Sequence, residues 1–120
     1  MVKIEICLDE KYFISGSHNG ICRLWNIWSG KCEQVYKGHL KWINIIMMCL
    51  DRKHFISGSP EHICLWDIES GECKKIYNIL NVLSIGICLD GEHFVSGGED
   101  SRILLWKLPD YACGIHNYCI

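Results

Sequence analysis

The chain has 120 residues, of which 49% are hydrophobic and 22% are charged, and its formal net charge is −2. This composition is typical of an ordered globular chain, either one small domain or part of a larger one. A slightly acidic chain without clustered Lys and Arg excludes nucleic acid and anionic membrane surfaces as expected partners. The charged start, MVKIEICLDE, does not predict a signal peptide, and no apolar run approaches the ~20 residues of a membrane helix.

A phrase of eleven residues occurs three times along the chain. CLDEKYFISGS at 7–17, CLDRKHFISGS at 49–59 and CLDGEHFVSGG at 88–98 are offset by 42 and then 39 residues. Self-similarity at about 40 residues indicates stacked supersecondary units. The repeat accounts for six of the nine cysteines. An odd number of cysteines without a signal peptide predicts free thiols in a reducing compartment, the cytoplasm or the nucleus.

Each unit predicts four short strands, named a to d in chain order. Strand a alternates apolar residues, as at Ile4, Ile6 and Leu8, and an aspartate follows it. Strand b is a short Phe-Ile-Ser or Phe-Val-Ser segment closed by glycine, and strand c ends in Leu-Trp. A Ser-Gly turn then leads into strand d at 31–36 and 72–77. Strands of this length, with period two and no helical periodicity, predict an all-β fold.

These features resemble WD-repeat β-propeller proteins over nearly everything from Val2 to Leu108. The motifs that carry the resemblance are ISGS and LWN in unit one, LWDIESGEC in unit two, SGGEDSRILLWK in unit three, and KGH at 37–39. The resemblance implies an open arc of three four-stranded antiparallel blades in one WD-repeat region, 1–120. Its repeat units would span about 2–37, 43–78 and 82–120. The last blade is expected to be incomplete, because its strand d reads CGIHNYCI. The phrases CLD…ISGS and SGKC/SGEC further resemble the propellers of F-box/WD-repeat proteins.

The resemblance also implies a buried hydrogen-bonded network of histidine, aspartate, serine or threonine, and tryptophan in each blade, and no copy here has the full set. The matching residues are Ser15 and Trp25 in copy one, His39, Ser57 and Trp66 in copy two, and Ser96, Asp100 and Trp106 in copy three. Copy one has Asn19 and copy two has Pro60-Glu61 where the aspartate belongs. Because networks of this kind rigidify a fold only when every member is satisfied, we expect low stability.

No catalytic or cofactor-binding constellation emerges from the sequence, so we expect a protein that is not an enzyme and holds no cofactor or metal. Cys113-x-x-His116-x-x-Cys119 has a metal-like spacing, but it supplies three ligands at most, and structural zinc needs four. Aligned on the tryptophan of strand c, Cys22 falls on an inward position and Cys64 on an outward one. Neither cysteine has a spacing that implies a site.

WD-repeat propellers act mostly as rigid platforms, so the resemblance implies protein partners that contact loops at one rim. The candidate partner-binding residues lie in the b–c turns and the d–a linkers; they are His18, Asn19, Trp42, Glu61, His62, Glu99 and Ser101. Trp42 is either an exposed anchor or the first core residue of strand a. Trp28, in a c–d turn, is either a contact residue or a local cap over the blade edge.

Three blades cannot close a normal ring, since propellers usually have four to eight. An open arc exposes one face of each end blade, so we expect self-association, additional blades or another protein partner to cover these faces. The expected function is a non-catalytic protein–protein interaction scaffold. Two alternatives remain open: the substrate-binding portion of an F-box/WD-type ubiquitin-ligase adaptor, and a degenerate fragment without independent function.

Overall fold

A computed structural model describes residues 3–7 and 10–112. Over these residues the strands form three antiparallel sheets of four, four and three strands, which confirms the prediction of an all-β partial propeller. The strands are β1 (Lys3–Cys7), β2 (Tyr12–Gly16), β3 (Ile21–Asn26), β4 (Cys32–Lys37), β5 (Ile45–Met48), β6 (His54–Gly58), β7 (Ile63–Asp67), β8 (Cys73–Tyr77), β9 (Val82–Ile87), β10 (His93–Gly98) and β11 (Ile103–Lys107). A 3-10 turn, Asp110–Ala112, follows β11. The strand d expected in the third unit, 113–120, lies outside the described residues.

The strands follow one another in sequence order within each sheet, which we call blade 1 (β1–β4), blade 2 (β5–β8) and blade 3 (β9–β11). Blade 2 lies between the other two. Every residue of β6 is buried, and so are the first four residues of β7. In β2 and β10, by contrast, fully buried residues alternate with half-buried ones. The middle sheet is therefore covered on both faces, and each end sheet is covered on one.

Each blade has two distinct faces. The front face carries the Phe and Ser of strand b and the Trp of strand c, and the back face carries the residues that alternate with them. The back of blade 1 packs on the front of blade 2 in a core of Ile14, Cys22, Leu24, Tyr36, Ile43, Phe55, Cys64, Trp66 and Ile68. The back of blade 2 packs on the front of blade 3 in a core of Cys49, Ile56, Ile63, Leu65, Tyr77, Val82, Ile85, Phe94, Leu108 and Ala112. The two cores are thus built by the same front-to-back stacking.

An aromatic contact joins blade 1 to blade 2. Tyr36, on the back of blade 1, meets Phe55 edge-on with ring centroids 4.9 Å apart, and meets Trp66 at 5.7 Å. Edge-to-face pairs of this kind contribute about 0.5–1.5 kcal/mol beyond the apolar area they bury. The Tyr36 hydroxyl donates to the backbone oxygen of Ile68 at 2.7 Å. The side chain is therefore held both by its ring contacts and by its hydroxyl.

The same contact recurs between blade 2 and blade 3. Tyr77 meets Phe94 at 5.0 Å and Trp106 at 5.5 Å, again edge-on. Its hydroxyl donates to the backbone oxygen of Lys107 at 3.2 Å. The back faces of blades 1 and 2 therefore each place a tyrosine against the Phe–Trp pair on the front of the next blade.

The aspartates that follow strand a organise the a–b turns. Asp51 accepts hydrogen bonds from the backbone N–H groups of Lys53 at 2.9 Å and His54 at 3.2 Å, and its second oxygen lies 2.6 Å from His54 Nδ1. Asp90 and His93 repeat the pairing at 2.8 Å. Aspartate side chains favour turns because they bond backbone groups two or three residues ahead.

Across the described residues, no helix has the length and apolar content to cross a membrane.

Candidate interaction surfaces and the blade hydrogen-bond network

Blade 2 contains a buried hydrogen-bonded group of three side chains. Trp66 Nε1 donates to Ser57 Oγ at 2.8 Å, and His39 Nε2 lies 2.6 Å from the same oxygen. His39 belongs to the linker between β4 and β5, and Gly38 brings that linker close to the tryptophan. A Cβ at Gly38 would lie 2.8 Å from the Trp66 ring, so only glycine fits there without displacement. The structure thus brings His39, Ser57 and Trp66 together.

Blades 1 and 3 contain shorter versions of this group. Trp25 Nε1 donates to Ser15 Oγ at 3.0 Å, and Trp106 Nε1 donates to Ser96 Oγ at 3.1 Å. Asp100, expected in the network of blade 3, stands apart from this pair. Its exposed carboxylate accepts from the backbone N–H of Arg102 at 3.0 Å and pairs with the Arg102 side chain at 3.5 Å. The linker before blade 3 has no histidine that could bridge Asp100 to Ser96.

An open cavity in blade 3 lies along the linker that lacks a histidine. Its volume is about 290 Å³, and its lining includes Leu80, Ser96, Asp100, Arg102 and Trp106. In blade 2 the corresponding serine, Ser57, is bonded by His39 from the longer linker. The shorter linker therefore leaves the Ser96 hydroxyl at the cavity wall.

The b–c turns and the d–a linkers form one continuous edge, which we call the rim. The linker 38–44 is bonded to blade 1 through Ile43 N, which donates to Ser17 O at 3.0 Å. The same linker is bonded to blade 2 through His62 Nε2, which donates to Gly38 O at 3.2 Å. Each linker thus contacts the blade that it leaves and the blade that it enters.

The second linker repeats this arrangement. Asn81 N donates to Pro60 O at 2.8 Å, and Glu99 N donates to Asn81 O at 3.1 Å. All seven candidate rim residues are accordingly on the same edge of the molecule. Glu99 and Ser101 are exposed there.

The rim of blade 1 carries an aromatic pair. His18 and Trp42 stack with their ring centroids 5.7 Å apart and their planes 12° apart. Trp42 precedes β5 and is exposed, so it does not begin the core of strand a. Beside this pair, Asn19 Oδ1 accepts hydrogen bonds from Ser17 Oγ and from the backbone N–H of Ile21. Trp28, in the c–d turn, is 82% exposed and therefore does not cap the blade edge.

The rim of blade 2 carries polar atoms without partners. His62 stacks on His39, with centroids 4.8 Å apart and planes 11° apart. His39 Nδ1 and Glu61 Oε1 are both buried, and neither has a hydrogen-bond partner among the described residues. Burial, together with the neighbouring His62, lowers the pKa of His39 to about 4. The His39 ring is therefore neutral at neutral pH.

Cys64 lies in a different environment from the one its position predicted. The sequence places it on an outward position, but the thiol is fully buried in the core between blades 1 and 2. Alignment on the tryptophan reports only the face of the sheet on which Cys64 lies, and both faces of blade 2 are covered. The approach of Cys64 to His39 and His62 had no signal in the spacing, since His39 comes from a linker.

Comparison with known proteins agrees with this architecture. The family model for the WD domain, G-beta repeat, matches residues 3–26, 30–67 and 71–107. A search of curated proteins found no match. Among solved structures, the β-propeller domain of Cps50 (Swd1) from Myceliophteria thermophila is similar to this chain with a TM-score of 0.81 at 13% identity. The similarity covers 92% of this chain and 39% of that chain.

This structural likeness concerns the fold alone, because the identity is low. The chain spans 39% of the length of that propeller domain. Neither match supports the narrower likeness to F-box/WD-repeat propellers.

Proposed function

Since the chain belongs to the WD40-repeat family, we propose that it is a non-catalytic protein-interaction scaffold that joins further WD-type blades at its two open ends. WD40 repeats support a role in protein interaction in general. The observation that carries the narrower proposal is an aromatic contact site that is filled twice inside the molecule and open a third time at its end.

The open copy of this site is on the front of blade 1. Phe13 and Trp25 stack with centroids 6.2 Å apart and planes 15° apart, the same values as Phe94 and Trp106 in blade 3. In blade 3 the edge of Tyr77 enters the pair, whereas among the described residues no tyrosine contacts Phe13 and Trp25. The front of blade 1 therefore has the shape and chemistry that receive the back face of another blade.

The opposite end exposes the complementary surface. On the back of blade 3, Ile103 is 81% and Leu105 is 66% exposed, whereas their counterparts in blade 2, Ile63 and Leu65, are fully buried. A four-stranded face of roughly 300 Å² that stays in water forgoes on the order of 8 kcal/mol. That amount is comparable to the whole stability of a typical domain, ~5–15 kcal/mol. Covering these faces is thus a strong driving force for association.

The partner that fits these ends is a second copy of the chain, bound head to tail. The back of blade 3 in one copy would lie on the front of blade 1 in the other. Such heterologous contacts form a ring when the rotation closes. Two copies supply six blades, within the usual range of four to eight for propellers. Blades from another WD-repeat protein would offer the same kind of surface.

Analytical ultracentrifugation of the purified chain tests this proposal. Ile4→Lys places a charge on the front of blade 1, and Ile103→Lys places one on the back of blade 3. We expect the unsubstituted chain to associate and each variant to become monomeric, while a mixture of the two variants forms a heterodimer through the intact end of each. Leu89→Lys is the control, because Leu89 is 94% exposed in an a–b turn away from both faces.

Two results would contradict the proposal. The first is an unsubstituted chain that stays monomeric at concentrations well above micromolar. The second is association that Ile4→Lys and Ile103→Lys leave unchanged. Polydisperse soluble aggregate would instead favour a degenerate fragment without independent function.

We further propose that the rim is a second protein-binding surface. The support is the exposed stacked pair of His18 and Trp42, since tryptophan is enriched among residues that dominate binding energy. Peptides selected for binding to the chain should lose affinity for Trp42→Ala and keep it for Trp28→Ala, which removes an exposed tryptophan outside the rim. Equal binding to both variants would contradict a role for the rim.

A reducing compartment, the cytoplasm or the nucleus, is the proposed location. Six described cysteines are free thiols, and Cys32 and Cys73 among them are exposed. Differential alkylation followed by mass spectrometry of protein from its native source should find both thiols reduced. A stable disulfide at either position would contradict this location.

A further inference from the structure

Three metal-ligating side chains converge where the rim of blade 2 meets the core. They are His39 from the linker, His62 from the b–c turn and Cys64 from β7. One nitrogen of each histidine and the sulfur of Cys64 all lie within 4.8 Å of one another. His39 is only 6% exposed, Cys64 is fully buried, and His62 is half-buried. The cluster is thus reached from solvent along the side of His62.

The buried Nδ1 of His39 points to a ligand at this place. Its other nitrogen, Nε2, is held by Ser57 Oγ at 2.6 Å. Nδ1 has no hydrogen-bond partner among the described residues. The b–c turn of blade 2 reads Ser59-Pro60-Glu61-His62, and it supplies no hydrogen-bond partner to this atom. A buried polar atom without a partner is destabilising, and a bound cation would offset that cost.

Each of the two histidines is held by a hydrogen bond at its Nε2. His62 Nε2 carries a proton, because it donates to the Gly38 carbonyl oxygen, which can only accept. Its Nδ1 therefore keeps a free lone pair. Histidines that bind metals typically use their second nitrogen in a bond of this kind, which fixes the tautomer and the ring orientation. Ser57 and Gly38 would be these supporting partners for His39 and His62.

We infer that His39, His62 and Cys64 form a binding site for a borderline-soft transition-metal ion such as Zn²⁺. Imidazole nitrogen and thiolate sulfur are the ligands that zinc prefers. Three protein ligands leave a fourth position for water on the side of His62. On binding, the Cys64 thiol forms a bond to the metal through sulfur and releases its proton to solvent.

Binding requires a small and specific movement. Zinc–ligand bonds of about 2.0–2.3 Å place neighbouring ligand atoms roughly 3.5 Å apart, so the three atoms must approach by about 1 Å. In the stacked arrangement the lone pairs of the two imidazoles lie in nearly parallel planes. His62 must therefore turn out of the stack. It can do so because it is half-exposed in a turn, while His39 is anchored by Ser57.

Titration of the reduced chain with Co²⁺, followed by displacement with Zn²⁺, tests the site. We expect one equivalent of Co²⁺ to produce a thiolate-to-cobalt charge-transfer band that one equivalent of Zn²⁺ abolishes. Cys64→Ala should remove the band, and His62→Gln should weaken binding by more than about 100-fold, beyond the loss typical of a supporting residue. Zn²⁺ should also raise the thermal midpoint of the unsubstituted chain and leave that of His62→Gln unchanged.

Matched controls separate this site from other thiols and histidines. Cys22→Ala removes a buried thiol from the same core, and His18→Gln removes the b–c turn histidine of blade 1. His116→Gln disrupts the Cys-x-x-His-x-x-Cys segment. All three variants should keep the cobalt band. The inference is overturned if no band forms, if Cys64→Ala and His62→Gln bind like the unsubstituted chain, or if His116→Gln alone abolishes binding.

Discussion

The three blades differ in how many buried side chains bond the hydroxyl of the strand-b serine. In blade 2 two side chains bond Ser57, whereas in blade 1 one side chain bonds Ser15. Ser57→Ala removes the oxygen that accepts from Trp66 and bonds His39, and both of those side chains are buried. Each buried polar group left without a partner costs about 1–3 kcal/mol, so we expect a loss of roughly 3 kcal/mol in the free energy of unfolding. Ser15→Ala leaves only Trp25, which is half-buried and can bond water, so its loss should be about 1 kcal/mol or less.

Urea unfolding followed by tryptophan fluorescence measures both variants. With a slope of about 2 kcal/mol per M, Ser57→Ala should lower the midpoint by roughly 1.5 M and Ser15→Ala by roughly 0.5 M or less. The slope itself should not change, because neither variant alters the surface exposed on unfolding. Losses that agree within about 0.5 kcal/mol, a difference typical of unrelated surface substitutions, would refute the assignment of Ser57 as the centre of a three-membered group.

Two further predictions concern blade packing and a turn. A Cβ at Gly16 would lie 2.5 Å from Ile43 Cγ2 between blades 1 and 2, so Gly16→Ala should destabilise the chain by about 1–3 kcal/mol. Gly86→Ala places its methyl 3.5 Å from Val95 and should be neutral or slightly stabilising in the same urea assay; equal losses would contradict the close approach of the blades. The backbone N–H of Ser70 donates to Asp67 and is the main cause that holds the pKa of Asp67 below its usual value. The carboxylate therefore stabilises the fold at neutral pH and loses this effect as the pH falls through its folded-state pKa, so Asp67→Asn should flatten the acid side of the stability profile, and an unchanged acid slope would contradict this role.

The architecture was predictable because its signals are local. Alternating apolar residues, a strand-closing glycine and a Leu-Trp ending recur at a fixed spacing, and each reports a strand through its own period. The pairing of Ser57 with Trp66 was implied by the resemblance to WD-repeat proteins, and the strand register places both side chains on the same face of adjacent strands. Alternation of apolar residues along a strand indicates which side chains share a face of the sheet. The presence of three copies of the repeat indicates that the sheets stack face to face.

Contacts made between blades were not predictable from the same signals. The entry of Tyr36 and Tyr77 into the next blade depends on how sheets stack, and no spacing within one unit reports that contact. Cys64 was misplaced for the same reason, because an outward position of a middle blade is buried by its neighbour. Asp100 pairs with Arg102 instead of joining the Ser96–Trp106 pair. The linker before blade 3 has no histidine that could connect them.

Hydrogen exchange measured strand by strand most directly tests whether three sheets stack with one covered on both faces. The Ile103→Lys chain is suited to the measurement, because association would then not cover the end blades. We predict the slowest amide exchange in β6 and β7 of blade 2, with faster exchange throughout blades 1 and 3. Slowest exchange in an end blade, or equal protection across all three sheets, would contradict the stacked arc.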